Sequence, residues 1–378
     1  MDKGQFGPLR GVKVIELGGL GPAPYGAMML AQMGADVVRV DRPGSSSEQM
    51  STLDRGKRSA MIDLQRPEGV EAMLKLIEGA DVLIEGFRPG VIERLGMGPD
   101  RCWERNPKLV IGRMTGWGQS GPLSQQAGHD VDYIALTGAL HAIGRRGDPP
   151  TIPLCLVGDL GGGALFLVVG ILAALHEAAR SGQGQQVDAA IVDGAAALMT
   201  PIYGMLEEGG WHDRRGENIL DSGFPWYDVY ATSDGEWLAV GALEDRFYAE
   251  LVELLGLSPG EADRSDPAGW SALRKCFSRV FATRTRSEWM AVFDGTDACV
   301  SPVLSMTDAP VHPHLVERGT FVDTDGAVLP APAPRFSRTA SEVPHPAPRC
   351  GGDTRSVLSA GGVRNVEYLL EQGVAVQT

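Results

Sequence analysis

The sequence predicts an α/β protein: a doubly wound parallel-sheet domain, then a smaller α+β domain. Three observations carry that expectation. Over the first 200 residues, short apolar runs flanked by glycine alternate with helical stretches, as buried parallel strands and their crossover helices do. From about Asn218 the pattern changes to alternating segments around the turn Ser233-Asp234-Gly235. Six prolines between positions 329 and 348 then mark an extended arm, since proline offers no backbone donor.

The elements follow in order. Residues 12–17 form a short apolar run bounded by glycines and read as the first strand. Gly18, Gly19 and Gly21 turn the chain into a helix over 22–33, with Gly34 past its end. Residues 36–40 are the second strand. A helix over 69–77 and strands over 81–85 and 109–114 continue the alternation. Asp159 stands just before Gly161, Gly162 and Gly163, which are expected to open a long apolar helix ending near Arg180 with Gly182 as its cap. Residues 187–191 read as a strand and 195–207 as a helix. In the second domain, 227–230 and 237–241 read as antiparallel strands, 246–255 and 270–281 as helices. A short helix over 365–372, closed by Gly373, ends the chain.

Length and composition set limits. A chain of 378 residues is long enough for two cored domains, and 43% hydrophobic with 22% charged residues is ordinary for a globular protein. The formal net charge of −14 argues against nucleic acid and anionic lipid as partners, and it requires well-placed arginines if the ligand is anionic. Cys102, Cys155, Cys276, Cys299 and Cys350 are scattered without a C-x-x-C pair, which suggests neither zinc nor a disulfide framework and fits a reducing compartment. Residues 1–10 hold no apolar signal core. The longest apolar run, 164–175, is shorter than a bilayer requires and reads as a buried core helix. The expected location is cytoplasmic, with no membrane partner.

The turn Gly19-Leu20-Gly21-Pro22-Ala23-Pro24 lies between a strand and a helix, the context of a dinucleotide fingerprint. Pro24 occupies the position that a small residue must fill for close helix–strand contact. Asp41 could hold a ribose, but Arg42 follows it directly and suits a phosphate. A nicotinamide site is therefore disfavoured. A plain strand–helix turn and a turn lining some other site both remain open.

Several motifs together resemble the family III CoA-transferases. They are Gly7-Pro8-Leu9-Arg10-Gly11-Val12-Lys13-Val14-Ile15-Glu16-Leu17, Gly34-Ala35-Asp36-Val37-Val38-Arg39-Val40-Asp41-Arg42-Pro43, Asp81-Val82-Leu83-Ile84-Glu85-Gly86-Phe87-Arg88-Pro89-Gly90 and Thr115-Gly116-Trp117-Gly118-Gln119-Ser120-Gly121-Pro122. Gly128-His129-Asp130-Val131-Asp132-Tyr133 and Val157-Gly158-Asp159-Leu160-Gly161-Gly162-Gly163 resemble the α-methylacyl-CoA racemase branch. The likeness extends to Pro332-Ala333-Pro334-Arg335-Phe336-Ser337. It implies an interlocked homodimer. Each chain would fold a large Rossmann-like CoA-binding domain from 1–200, completed by about 325–378, and a small α+β domain from 218–320. Linkers would span about 201–217 and 321–350. The active site would lie between the large domain of one chain and the small domain of the other.

The resemblance also implies a chemistry: inversion of the carbon next to an acyl-CoA thioester. That needs a proton removed from one face and delivered to the other, by two groups of suitable pKa. The thioester makes the α-proton removable through an enolate. Hydrogen bonds can stabilise that oxyanion, so no metal and no cofactor beyond the CoA of the substrate is expected. His129 and Asp159 match the family's catalytic pair, and Glu244 matches a carboxylate that orients the histidine. Taken alone, His129 would read as a solvated loop histidine, Asp159 as a helix cap and Glu244 as a helix-dipole contact. A helix start just after Asp159 is expected to favour its charged form. Arg42, Arg88 and Arg94 match positions that meet the nucleotide end. Ile62, Asp63, Leu64, Gln65, Gly86 and Phe87 match the CoA groove, with Gln65 where the branch often carries a basic residue. Gly128, Asp130, Val131, Asp132 and Tyr133 complete the expected ligand contacts.

Two rival functions differ in chemistry. In a CoA-transferase, Asp159 would attack the thioester and form a mixed anhydride, a step with no need for His129. A CoA-binding protein without turnover would need neither group.

Overall fold

The structure, a computed structural model, describes residues 7–44, 52–324, 326–341 and 345–378. Residues 1–6 and Pro344 of the proline-rich arm lie outside them. From the amino end run β1 (Lys13–Leu17), α1 (Pro22–Gln32), β2 (Asp36–Asp41), β3 (Arg58–Ile62), α2 (Pro67–Ile77), β4 (Val82–Glu85), α3 (Val91–Arg94), α4 (Pro99–Arg105) and β5 (Val110–Thr115). Then come α5 (Asp130–Leu136), α6 (Ala139–Ala142), a π-helical segment (Leu156–Leu165), α7 (Phe166–Ser181), β6 (Gln186–Ala190), α8 (Ile191–Leu198) and α9 (Thr200–Glu207). The remainder is β7 (Tyr227–Ala231), β8 (Trp237–Gly241), α10 (Asp245–Leu254), α11 (Trp270–Phe281), α12 (Arg286–Phe293), β9 (Val300–Pro302), α13 (Pro313–Glu317), β10 (Phe321–Thr324), β11 (Ala327–Pro330), α14 (Thr354–Ala360), α15 (Val366–Glu371) and β12 (Ala375–Val376).

The chain divides into two compact units. The first comprises Met1–Thr137, Leu154–Met199 and Gly319–Thr378; the second comprises Gly138–Pro153 and Thr200–Arg318. Gly138–Pro153 thus groups with the second unit although it lies within the span 1–200. Thr200–Glu207 is helical although it enters the stretch expected to be a linker.

In the first unit a seven-stranded sheet has the order β12-β3-β2-β1-β4-β5-β6, parallel except for β12. The chain winds outward from β1 to β3, returns to β4, and winds the other way to β6. Such a reversal opens a crevice at the carboxyl ends of the strands beside it, here β1 and β4. Proline at the first helical position starts α1 directly after Gly21, whose φ of 70° suits glycine. β3 was not among the expected strands. Its sequence, Arg58-Ser59-Ala60-Met61-Ile62, lacks a long apolar run, and tertiary partners hold it. Arg58 pairs with Asp36 at 2.7 Å, and Ser59 Oγ accepts from Gly351 N at 2.8 Å. Asp36 lies on neighbouring β2, while the returning carboxyl end supplies Gly351 and adds β12 beside β3. Among the described residues of the arm expected to be extended, only Leu329 and Pro330 belong to a strand, at the end of β11, which pairs with β10 as a hairpin.

The long apolar helix begins earlier than expected. The π segment and α7 form one continuous helix, Leu156–Ser181, long and apolar enough to cross a membrane by length and composition. A π-type bond, Leu160 N to Cys155 O at 3.1 Å, marks the wide turn. Leu167, Val168, Ile171, Ala174 and Ala178 are buried in the core of the first unit, whereas Leu165, Phe166 and Val169 are exposed. The core-helix expectation therefore holds for one face only. The helix expected over 195–207 is two helices, because Pro201 cannot donate to a continuing turn.

Glycines in the π segment permit a close crossing. A Cβ on Gly162 would lie 2.5 Å from Ala195 N of α8, and one on Gly194 would lie 1.8 Å from Gly162 O. Neither neighbour is a flexible side chain. Gly194→Ala is expected to destabilise the protein by about 1–3 kcal/mol through overpacking. Gly204→Ala, in α9 with open space around it, should be neutral or stabilising by up to about 1 kcal/mol. Urea midpoints of the two variants would check this; equal effects would refute the crossing as a constraint.

The second unit packs α10, α11 and α12 with the antiparallel sheet β7-β8-β9. Its core is aromatic: Trp226, Tyr230, Tyr248, Phe277, Phe281, Trp289 and Phe293 meet edge to face in four pairs and stacked in two, both favourable quadrupole arrangements. α12 begins with a capping box of Thr285 and Glu288.

Candidate active site

The expected ligand residues of the first unit follow the carboxyl ends of its parallel strands. Arg42 follows β2, Ile62–Gln65 close β3, and Gly86, Phe87 and Arg88 follow β4. The topology thus brings residues far apart in sequence to the edge where an open α/β sheet binds its ligand. Arg42, Arg88 and Arg94 are exposed. Glu85 anchors the β4 end: its carboxylate accepts from Phe87 N at 2.8 Å and pairs with buried Arg113 at 2.6 Å.

Not every expected contact is free for a ligand. Ile62 is buried in the core, so only its main chain can contribute. Leu64 and Phe87 pack partly against the same core. Asp63 accepts from Gln65 N at 3.0 Å, and exposed Gln65 extends beyond that turn. Asp41, considered as a ribose ligand, is held in a two-point ion pair with Arg39 at 2.9 and 3.0 Å.

His129 is not a loop residue. It is the N-cap of α5, and its own N–H donates to Asp132 at 2.9 Å. Two glycines and two rings hold the loop before it. Tyr133 O–H donates to Gly128 O at 2.5 Å, and its ring meets Trp117 edge-on with centroids 4.8 Å apart. Side chains on Gly116 or Gly128 would collide with these rings. Tyr133 is thus spent on positioning. The His129 side chain is left exposed.

Asp159 differs from expectation. It lies inside the helix, at the fourth residue of the π segment, rather than ahead of it. Its amide is occupied: Asp159 N donates to Asp130 Oδ1 at 2.6 Å. Its carboxyl is held above the ordinary aspartate range, first by burial and then by the negative charge of Asp130, with His129 opposing. The expected preference for the charged form is overturned, because desolvation and a like charge outweigh the helix end. Burial also pushes Tyr133 up, and Asp159 adds to that shift.

The glycine turn after β1 belongs to the same place. A Cβ on Gly21 would lie 3.4 Å from Asp159 Oδ2, and one on Gly163 would lie 3.2 Å from the Pro22 ring. The sequence left this turn undecided. Its position beside β4, at the reversal of strand order, was the missing signal.

In the second unit Glu244 is the exposed N-cap of α10, and its side chain makes no cap hydrogen bond. Among the described residues, no group of three or more His, Cys, Asp or Glu side chains is arranged as a metal site. A carboxyl of raised proton affinity in the first turn of the π segment and an exposed histidine at the start of α5 are two groups that can take and give protons.

The model of CoA-transferase family III matches residues 9–354. Mouse α-methylacyl-CoA racemase is 47% identical over 366 residues, covering 96% of this chain and 95% of that protein. The human α-methylacyl-CoA racemase is 45% identical, covering 88% and 87%. The crystal structure of a CAIB/BAIF family protein from Brucella suis superposes with a TM-score of 0.81 at 25% identity, over 94% of this chain and all of that one.

Proposed function

The chain belongs to CoA-transferase family III, and from that premise we propose that it interconverts (R)- and (S)-2-methylacyl-CoA thioesters by 1,1-proton transfer through an enolate. The observation that carries this reading is the histidine at the start of α5 beside a carboxyl of raised proton affinity. A transferase needs the carboxylate as a nucleophile and has no task for His129. A racemase needs two groups of similar proton affinity that exchange roles with the epimer. Raising the Asp159 carboxyl brings it closer to an imidazole, and this supports the pairing.

His129 and Asp159 would flank the α-carbon; one abstracts, the other delivers. The enolate oxygen requires donors, and the first-turn amides of α5, at Asp130 and Val131, have no acceptor within the helix. Arg42, Arg88 and Arg94, with the main chain of Ile62–Gln65 and Gly86–Phe87, would hold the CoA moiety along the sheet edge. The reaction as proposed draws on no cofactor beyond that CoA.

We also propose an interlocked homodimer in which Glu244 orients His129. Leu154, Leu156, Leu165, Phe166 and Val169 are exposed apolar side chains on or just before the long helix, and they support such a partner rather than a bilayer. The net charge of −14 supports neither nucleic acid nor anionic membrane as a partner, and we propose a cytoplasmic protein.

The test is incubation with one epimer of a 2-methylacyl-CoA in heavy water, without a carboxylic acid acceptor. Uptake of α-deuterium with drift toward an even epimer mixture is expected. No uptake, with CoA exchange only after a free carboxylic acid is added, would instead make Asp159 a nucleophile.

A further inference from the structure

We propose that Asp130 is a positioning residue of the acid–base pair: its carboxylate holds the Asp159 backbone in place and keeps a negative charge beside the Asp159 carboxyl. The proposal rests on the racemase reading above and departs from the expectation only for the Asp130 side chain, which turns to the Asp159 amide rather than to the ligand.

Three observations carry it. Asp130 Oδ1 accepts from the Asp159 amide at 2.6 Å, a charge-assisted bond joining the start of α5 to the π segment. The carboxylate is wedged against the chain there: a Cβ on Gly158 would lie 2.4 Å from Asp130 Oδ1. Its other oxygen, Oδ2, is buried and without a hydrogen-bond partner, on a residue only 9% exposed. A buried, half-satisfied carboxylate is costly in a low-dielectric site. A neutral acceptor would make the same amide bond without that cost. The charge itself is therefore the feature to explain, and it lies next to the one carboxyl whose proton affinity matters.

Around Asp159, the segment opening α5 brings Asp130, His129 and Tyr133 into its field. The turn after β1 approaches with uncharged Gly21, and α8 crosses the π segment at Gly194 and Ala195, with its acidic residue there, Asp193, exposed to solvent. Asp130 is thus the like charge acting on Asp159, and His129 the opposing one.

Asp130→Asn keeps shape and acceptor but removes the charge. It should move the acid limb of kcat/KM to lower pH by about one unit, because Asp159 loses its anionic neighbour. Asp130→Ala removes the tether as well and should lower kcat at least tenfold, with KM for the acyl-CoA within about twofold of wild type. Deuterium exchange, read across pH for wild type and both variants, is the measurement. An unmoved acid limb in Asp130→Asn would overturn the electrostatic part. A raised KM with unchanged kcat in Asp130→Ala would return Asp130 to the ligand contacts. Absence of exchange in the wild type would sink the racemase reading itself, a result separate from either.

Discussion

Replacing His129 by alanine, or Asp159 by asparagine or alanine, is expected to lower epimer interconversion by about 10²–10⁴-fold with the fold intact. Both side chains stand at helix starts without carrying the core: His129 is exposed, and the Asp159 carboxyl faces the Gly21 turn. The informative outcome is how inversion and exchange separate. Inversion requires a donor on the far face, so both variants lose it. Exchange requires only one base that removes a proton and returns a deuteron to the same face. Each variant should therefore still exchange the α-proton of one epimer, and the two variants should favour opposite epimers. Retention of inversion in either variant, or residual exchange with the same epimer in both, would refute the two-base arrangement. Circular dichroism on the same samples separates loss of function from loss of fold.

Much of the first unit was legible because its signals are local. The run Val14-Ile15 before a glycine turn, proline at the first position of α1 and Gly182 after α7 each specify an element within a few residues. What escaped depends on distant partners. β3 is identified by its ion pair with Asp36 and by the returning carboxyl end rather than by its own run. The sequence alone puts Asp159 just ahead of a helix that Gly161, Gly162 and Gly163 open. The structure accommodates them inside a π segment because α8 crosses there, with backbone against backbone. Some signals were present and not read. Asp132 three residues after His129 has the spacing of a capping box, which would have placed His129 on a helix. Pro201 announced the break after α8. Glu16 and Arg39 stand inside otherwise apolar strands, and charge in such a place means a buried partner.

That partner network yields the largest stability effect expected in this protein. Lys57 and Glu16 have side chains 0% exposed, paired at 2.6 Å. Lys57 Nζ also donates to Pro24 O at 3.0 Å and Asp54 Oδ1 at 3.1 Å, using all three of its protons. Arg39 Nη1 donates to the same Asp54 oxygen at 3.0 Å. Lys57→Met keeps much of the volume and removes the charge. It leaves Glu16 and Asp54 buried beside one cation fewer, and a loss of about 3–5 kcal/mol is expected at neutral pH. The pH dependence distinguishes charge from packing. Burial already pushes Glu16 up in spite of Lys57, so the folded state binds its proton more tightly than the unfolded state. For such a group, stability is present below the unfolded pKa and falls as pH rises through the folded one. Asp54 works the other way: Lys57 and Arg39 overcome its burial and hold it low, so its contribution is present above the unfolded pKa and is lost on acidification. Without Lys57, Asp54 still has Arg39 at 3.0 Å, but Glu16 loses its hydrogen-bonded cation and is neutralised by taking up a proton. The deficit of Lys57→Met should therefore shrink between about pH 7 and pH 5 as Glu16 takes it up. Adding Glu16→Gln to Lys57→Met should recover a large part of the loss, because no unpaired charge then remains on the strand. Urea unfolding at the two pH values measures all of this. A deficit independent of pH, and unrelieved by the second substitution, would mean that Lys57 acts by packing alone. The network also bears on the site, since Glu16 and Pro24 flank the turn that carries Gly21 to the Asp159 carboxyl.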